Sequence, residues 1–83
     1  MSGVVLREVL AALDEVARLD EAQKERSRQW AALAKRARAG ESRVTLDRDR
    51  AQLDATVVDY GDVWERLRAL RPKVARAVKE AGQ

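Results

Sequence analysis

The feature that most constrains this 83-residue chain is its stretch from Val4 to Ala39, which contains neither glycine nor proline. The stretch is rich in alanine, leucine, arginine, glutamate, lysine and glutamine, the residues with the highest helix propensity. A single helix of this length would extend for about 54 Å, because each residue adds about 1.5 Å. The rest of the chain is short and also rich in helix formers, so the sequence predicts an all-α protein.

Glycine and proline mark the places where helices are expected to end or bend. Gly40 fits the left-handed position that follows a helix, and three basic residues precede it in the last turn, where the helix dipole favours cations. We predict one helical domain over residues 1–83, with a helix at about 4–39, a turn at about 40–44 and a helical segment at about 45–81. Thr45 or Asp47 is the expected N-cap of the second segment.

The second helical segment has two weak points, at Gly61 and Pro72. Asp62 followed by Glu65 resembles a capping box, which favours a new helix start just after Gly61. Pro72 favours a kink or a restart, because it lacks a backbone donor. The segment is therefore one kinked helix or two or three shorter ones.

Apolar residues in both segments recur with alternating spacings of three and four, as in coiled coils. The frame in the first helix contains Leu6, Val9, Leu13, Val16, Asp20, Gln23, Ser27, Trp30, Ala34 and Ala37. The frame in the second segment contains Leu46, Arg50, Leu53, Val57, Tyr60, Trp64, Leu67, Arg71, Val74, Val78 and Ala81. Neighbouring apolar residues, which include Leu10, Ala17, Leu33, Val63 and Leu70, widen both stripes beyond what two helices can cover.

A turn at residues 40–43 would place the two frames in an antiparallel register. The expected pairs are Leu6 with Val78, Val9 with Val74, Val16 with Leu67 and Trp30 with Leu53. The same register places Asp20, Gln23 and Ser27 inward, opposite Trp64, Tyr60 and Val57. These polar residues either set the register of the core or mark a place where the helix turns outward.

The charges alternate in blocks along the chain. The net charge is −3 over residues 1–22, +5 over 23–43, −4 over 44–65 and +5 over 66–83, for a total of +3. An antiparallel pair of arms brings blocks of opposite sign together, whereas a parallel pair brings like charges together. The charge pattern therefore favours the antiparallel arrangement and disfavours the alternative.

These patterns predict an antiparallel, coiled-coil-like helical hairpin with a kinked or broken second arm. Two copies would form a homodimeric four-helix bundle, because a hairpin of this size cannot cover its widened apolar stripes. The alternative is a monomeric three-helix bundle that is broken near Gly61.

The composition argues against several classes of function. The chain has no histidine and no cysteine, which removes the commonest general base and the thiolate ligands of zinc sites. It also has no glycine-rich phosphate loop and no metal-ligand spacing, so we expect neither enzymatic activity nor a cofactor. Arg7 and Glu8 interrupt the first apolar run, so we expect no membrane segment and a cytoplasmic protein.

The sequence therefore favours a non-enzymatic protein–protein interaction or assembly module, a small adaptor that presents a helical face to a protein partner or to its own copy. Trp64, Tyr60 and Trp30 are the candidate partner-binding residues, because tryptophan and tyrosine are enriched at interaction hot spots. The simpler interpretation is that these aromatic residues anchor the core.

The alternative function is a small basic adaptor that binds nucleic acid. The candidate phosphate contacts are Arg66, Arg68, Arg71 and Lys73, and the pI near 9.8 agrees with such a role. The acidic blocks expected beside the basic ones, and the absence of a recognisable nucleic-acid-binding motif, favour the protein-binding interpretation.

Overall fold

The computed structural model describes residues Gly3–Gly82, which form three α-helices and no strand. Helix α1 comprises Gly3–Arg38, helix α2 Arg43–Ala55 and helix α3 Gly61–Ala81. The prediction of an all-α protein is confirmed for this part of the chain. The second helical segment is divided into α2 and α3 by residues 56–60.

Helix α1 ends in a Schellman motif around Gly40, which has a φ of 82°. The Glu41 N–H donates to the Arg36 carbonyl at 3.2 Å, and the Gly40 N–H donates to the Ala37 carbonyl at 3.1 Å. This pair of bonds satisfies helix-end carbonyls that would otherwise lack a partner. Gly40 therefore has the conformation that the sequence predicted for it.

Helix α2 begins earlier than expected, with Ser42 rather than Thr45 or Asp47 at its N-cap position. Its C-cap residue is Thr56, whose backbone N–H and hydroxyl both donate to the Leu53 carbonyl, at 3.1 and 2.6 Å. The Nε of Arg26 in turn donates to the Thr56 carbonyl at 2.9 Å. The end of α2 is thus fixed by its own threonine and by an arginine of α1.

Helix α3 starts at Gly61, whose N–H donates to the Asp59 carboxylate at 2.8 Å. The first bond at this helix start is therefore made by Asp59 rather than by the expected cap at Asp62. The helix continues through Pro72. The proline removes one backbone donor but does not end the helix, so of the two weak points only Gly61 coincides with a helix boundary.

The described residues form two compact units. The first contains the chain up to Leu19 and from Asp59 onwards, and the second is Asp20–Val58. In the first unit, the early part of α1 contacts the late part of α3. A recess is lined by Val5 together with Ala77, and Glu8 Oε2 lies 3.7 Å from Lys73 Nζ. Residue numbers thus rise along α1 as they fall along α3, so the two segments are antiparallel.

The core of the first unit is built on Ala12, Val63 and Leu70, which are 0%, 1% and 7% exposed. Alanine at the most buried position lets the two helices approach closely. Partly buried apolar residues surround this core, namely Val9, Val16, Leu19, Tyr60 and Leu67.

Half of the predicted frame is retained, because Val9, Val16, Tyr60 and Leu67 pack against this core as predicted. The frame positions between them are displaced by one residue. Leu6, Leu13, Trp64 and Val78 were expected in the seam, but each is at least half exposed. The predicted seam of α3 would have placed Arg71 in the core. The observed frame places Leu70 there instead, and α3 buries an apolar residue at each contact with α1.

The second unit packs the later part of α1 against α2. Leu53 is its buried residue, and Arg36 of α1 forms an ion pair with Asp49 of α2 at 2.8 Å. The predicted inward residues of this region are exposed, so the prediction of a buried polar layer is wrong and the outward-facing alternative holds. These residues are Asp20, Gln23 and Ser27.

Candidate docking face and groove

The first unit carries an apolar stripe that no described residue covers. On α1 the stripe consists of Leu6, Leu10, Leu13 and Ala17, and the three leucines are more than half exposed. Each residue follows a core-facing position by one, since the core-facing positions of α1 are Val5, Val9, Ala12 and Val16. The spacing of four, three and four keeps the stripe on one side of the helix.

Helix α3 carries a matching stripe, again one residue after its core-facing positions. It begins at Trp64, which is 50% exposed, and ends at Val78, which is 57% exposed. Between them lie Arg68, Arg71 and Ala75, all exposed.

The two stripes lie on the same side of the α1–α3 pair. One residue rotates a helix by about 100°, always in the same sense when the helix is viewed from its N-terminus. Inverting the second helix to make it antiparallel reverses this sense of rotation once, as seen along a fixed axis. Turning its contact line toward the first helix reverses the direction of the step a second time. A step of one residue from the contact line therefore leads to the same side on both antiparallel helices. We call this surface, formed by Leu6, Leu10, Leu13, Ala17, Trp64, Arg68, Arg71, Ala75 and Val78, the α1–α3 face.

The α1–α3 face is large enough for a contact with another protein. The α1 stripe is about 16 Å long and the α3 stripe about 21 Å long, and each helix is about 10 Å wide. Isolated exposed leucines are common on protein surfaces, but a continuous group of this kind usually marks an interaction site.

The three aromatic residues have different environments. Trp64 lies on the α1–α3 face, whereas Tyr60 is partly buried against the core of the first unit at the start of α3. Trp30 belongs to the second unit, where it is partly buried and lines a groove of about 320 Å³. The structure therefore does not bring the three predicted partner-binding residues together within one unit.

The groove beside Trp30 lies between α1 and α2. Its apolar wall is formed by Trp30, Leu33 and Leu46, and Arg43 and Arg50 line its α2 side. The guanidinium of Arg26 lies 5.8 Å from the centroid of the Trp30 ring. Leu53, the predicted partner of Trp30, lines a second groove, and Leu33 borders both grooves.

Arg36 makes two ion pairs in the second unit. It bonds Asp49 of α2 at 2.8 Å and also Glu41 in the turn. The hydrogen bonds that Arg36 donates, first to Asp49 and then to Glu41, raise the pKa of Arg36 above its ordinary value. Through these two ion pairs Arg36 connects α1, the turn and α2.

The four candidate phosphate-binding residues do not share one side of α3. Arg68 and Arg71 lie on the α1–α3 face, because they are three residues apart. Arg66 and Lys73 are seven apart and lie together on another side, where Lys73 approaches Glu8. A single phosphate backbone running along α3 would meet only one of these two pairs.

Sequence reasoning missed the role of the leucines of α1. Leu6 and Leu13 were assigned to the seam, and Leu10 was regarded only as widening it. Helix α1 carries two neighbouring apolar stripes in its sequence, and only one of them can face α3. This pattern could have identified the α1–α3 face from the sequence.

Among residues 3–82, no three acidic residues lie close enough together to hold a metal ion. No helix in the same part of the chain is long and apolar enough to cross a bilayer. No family model, curated protein or solved structure matches the chain.

Proposed function

We propose that this protein is a non-enzymatic assembly module that docks through the α1–α3 face onto the same face of a second copy. Two antiparallel arms from each copy would then form a four-helix bundle. The observation that carries the proposal is the group of half-exposed apolar side chains on one side of the α1–α3 pair. These side chains are Leu6, Leu10, Leu13, Trp64 and Val78.

The free energy for docking would come mainly from covering this apolar surface. Each of these side chains would contribute about 1 kcal/mol, because roughly half of its surface remains to be buried. Trp64 is the aromatic anchor of the contact, since it is the largest side chain on the face. The footprint is close to the lower limit of a specific interface, so we expect assembly to depend on protein concentration.

The test is the mass of the protein in solution, measured by light scattering over a range of concentrations. We expect about twice the 9.3 kDa of one chain. Trp64→Ala and Leu10→Glu should each restore the monomer mass with unchanged helix content, because neither side chain belongs to the core. Val44→Glu is the matched control, since Val44 is 80% exposed but lies in the second unit.

A monomer mass for the unmodified protein at all concentrations up to about 1 mM would overturn the proposal, since association would then be weaker than about 4 kcal/mol. Equal loss of assembly in Val44→Glu would place the contact outside the α1–α3 face and would also overturn it. Salt-sensitive retention of the monomer on DNA would instead support the nucleic-acid alternative.

A further inference from the structure

The α1–α3 face carries two cations on its α3 stripe, Arg68 and Arg71, and neither makes an ion pair within residues 3–82. The α1 stripe carries no charge. Because only the α3 stripe is charged, the possible pairings of two copies differ in the charges that they bring together. Resting on the proposed self-association, we infer that α1 of each copy lies against α3 of the partner subunit.

Two symmetric pairings of the face are possible, because a two-fold axis must lie in the plane of the contact. When the axis is parallel to the helices, α1 lies on α3 of the partner subunit. When the axis is perpendicular to them, α1 lies on α1 and α3 lies on α3. All neighbouring helices are antiparallel in both pairings, so the helix dipoles do not distinguish them.

The charges on the α3 stripe distinguish the two pairings. Arg71 lies midway between Trp64 and Val78, so the second pairing would place it directly opposite Arg71 of the partner subunit. Two arginines facing each other at the centre of an apolar contact repel, and each would lose hydration without gaining a partner. The first pairing places no two like charges opposite each other on the two stripes.

Side-chain size also favours the first pairing. The contacts of Val5 with Ala77 and of Glu8 with Lys73 fix the relative height of α1 and α3. A rotation about a two-fold axis parallel to the helices leaves every residue at the same height along the helix axes. Ala17 then lies opposite Trp64 of the partner subunit, and Leu6 lies opposite Ala75 of the partner subunit. At these two ends of the face a large side chain therefore meets a small one, which allows close packing there.

The first pairing also places Arg68 and Arg71 beside side chains that they can contact. Their aliphatic stems would cover Leu10 and Leu13 of the other copy, with the guanidinium groups at the edge of the contact. Asp14 follows Leu13 and lies at that edge, at the height of Arg68 of the partner subunit. Asp14 makes no ion pair within the described residues, so its carboxylate is available to that arginine.

The experiment uses engineered cysteines, because the natural chain has none. Leu6→Cys and Ala75→Cys variants, each with a distinguishable tag, are mixed and oxidised. A disulfide needs Cα atoms within about 7 Å, so a covalent heterodimer should form only if these positions are adjacent. Two differently tagged Leu10→Cys chains form the matched control mixture, since Leu10 lies at the height of Arg71 and faces its own copy only when α1 lies on α1.

We expect covalent heterodimer from the first mixture and none from the control mixture. Heterodimer from the control mixture would overturn the inferred pairing and leave the proposed self-association intact. A non-covalent dimer mass with no disulfide in the first mixture would also overturn the pairing alone. A monomer mass for the unmodified protein would overturn both.

Discussion

The guanidinium of Arg26 lies 5.8 Å from the centroid of the Trp30 ring, one turn further along α1. The same side chain donates through Nε to the Thr56 carbonyl at 2.9 Å, at the end of α2. One arginine therefore joins an aromatic ring and the end of a neighbouring helix. We expect this double contact to stabilise the second unit.

Arg26→Ala tests this expectation. It removes a cation–π contact of about 0.5–1 kcal/mol and a hydrogen bond of similar net value, so it should lower the unfolding free energy by about 1–2 kcal/mol. Urea denaturation followed by circular dichroism measures this change. Arg28→Ala is the control, because Arg28 pairs only with Glu25 on its own helix. Equal denaturation midpoints for the two variants would contradict a structural role for Arg26.

The turn after α1 provides a second test. Gly40→Ala should destabilise the protein by about 1–2 kcal/mol, because an alanine resists a positive φ. The cost would be conformational only, since an added Cβ meets no atom within 4 Å. Gly40→Asn should cost less, because asparagine tolerates the left-handed region better. If both variants unfold at the same urea concentration as the unmodified protein, the left-handed turn is not formed in solution.

The sequence was sufficient to predict helical structure and the end of α1, but neither the division of the second segment into α2 and α3 nor the rotation of the helices. Helix propensity and the position of Gly40 identify α1 and its end, because both are local properties. The choice between Leu70 and Arg71 as the core-facing residue depends on which stripe α1 offers to α3. That choice displaced every second position of the predicted frames by one residue and concealed the α1–α3 face, although the excess of apolar residues already indicated an uncovered surface.

Core and face residues should respond differently to truncation. Leu70→Ala should lower the unfolding free energy by about 2–5 kcal/mol, because Leu70 is buried against Ala12 and Val63. Leu10→Ala should leave the stability of the monomer nearly unchanged, since Leu10 is 58% exposed, and should reduce self-association. Denaturation at low protein concentration measures the first effect, and light scattering measures the second. Loss of monomer stability in Leu10→Ala would show that Leu10 belongs to the core.

The two pairs of basic residues on α3 separate the proposed function from the nucleic-acid alternative. Arg68→Gln/Arg71→Gln changes the α1–α3 face, whereas Arg66→Gln/Lys73→Gln removes the same number of charges from another side of α3. If Arg68 lies beside Asp14 of the partner subunit and Arg71 covers its Leu10, only the first pair of substitutions should lower the dimer fraction in light scattering. Phosphate binding by all four residues predicts a different result, in which both variants elute earlier from immobilised DNA as the salt concentration rises. Unchanged dimer fractions in both variants, without DNA retention of the unmodified protein, would contradict an interfacial role for Arg68 and Arg71.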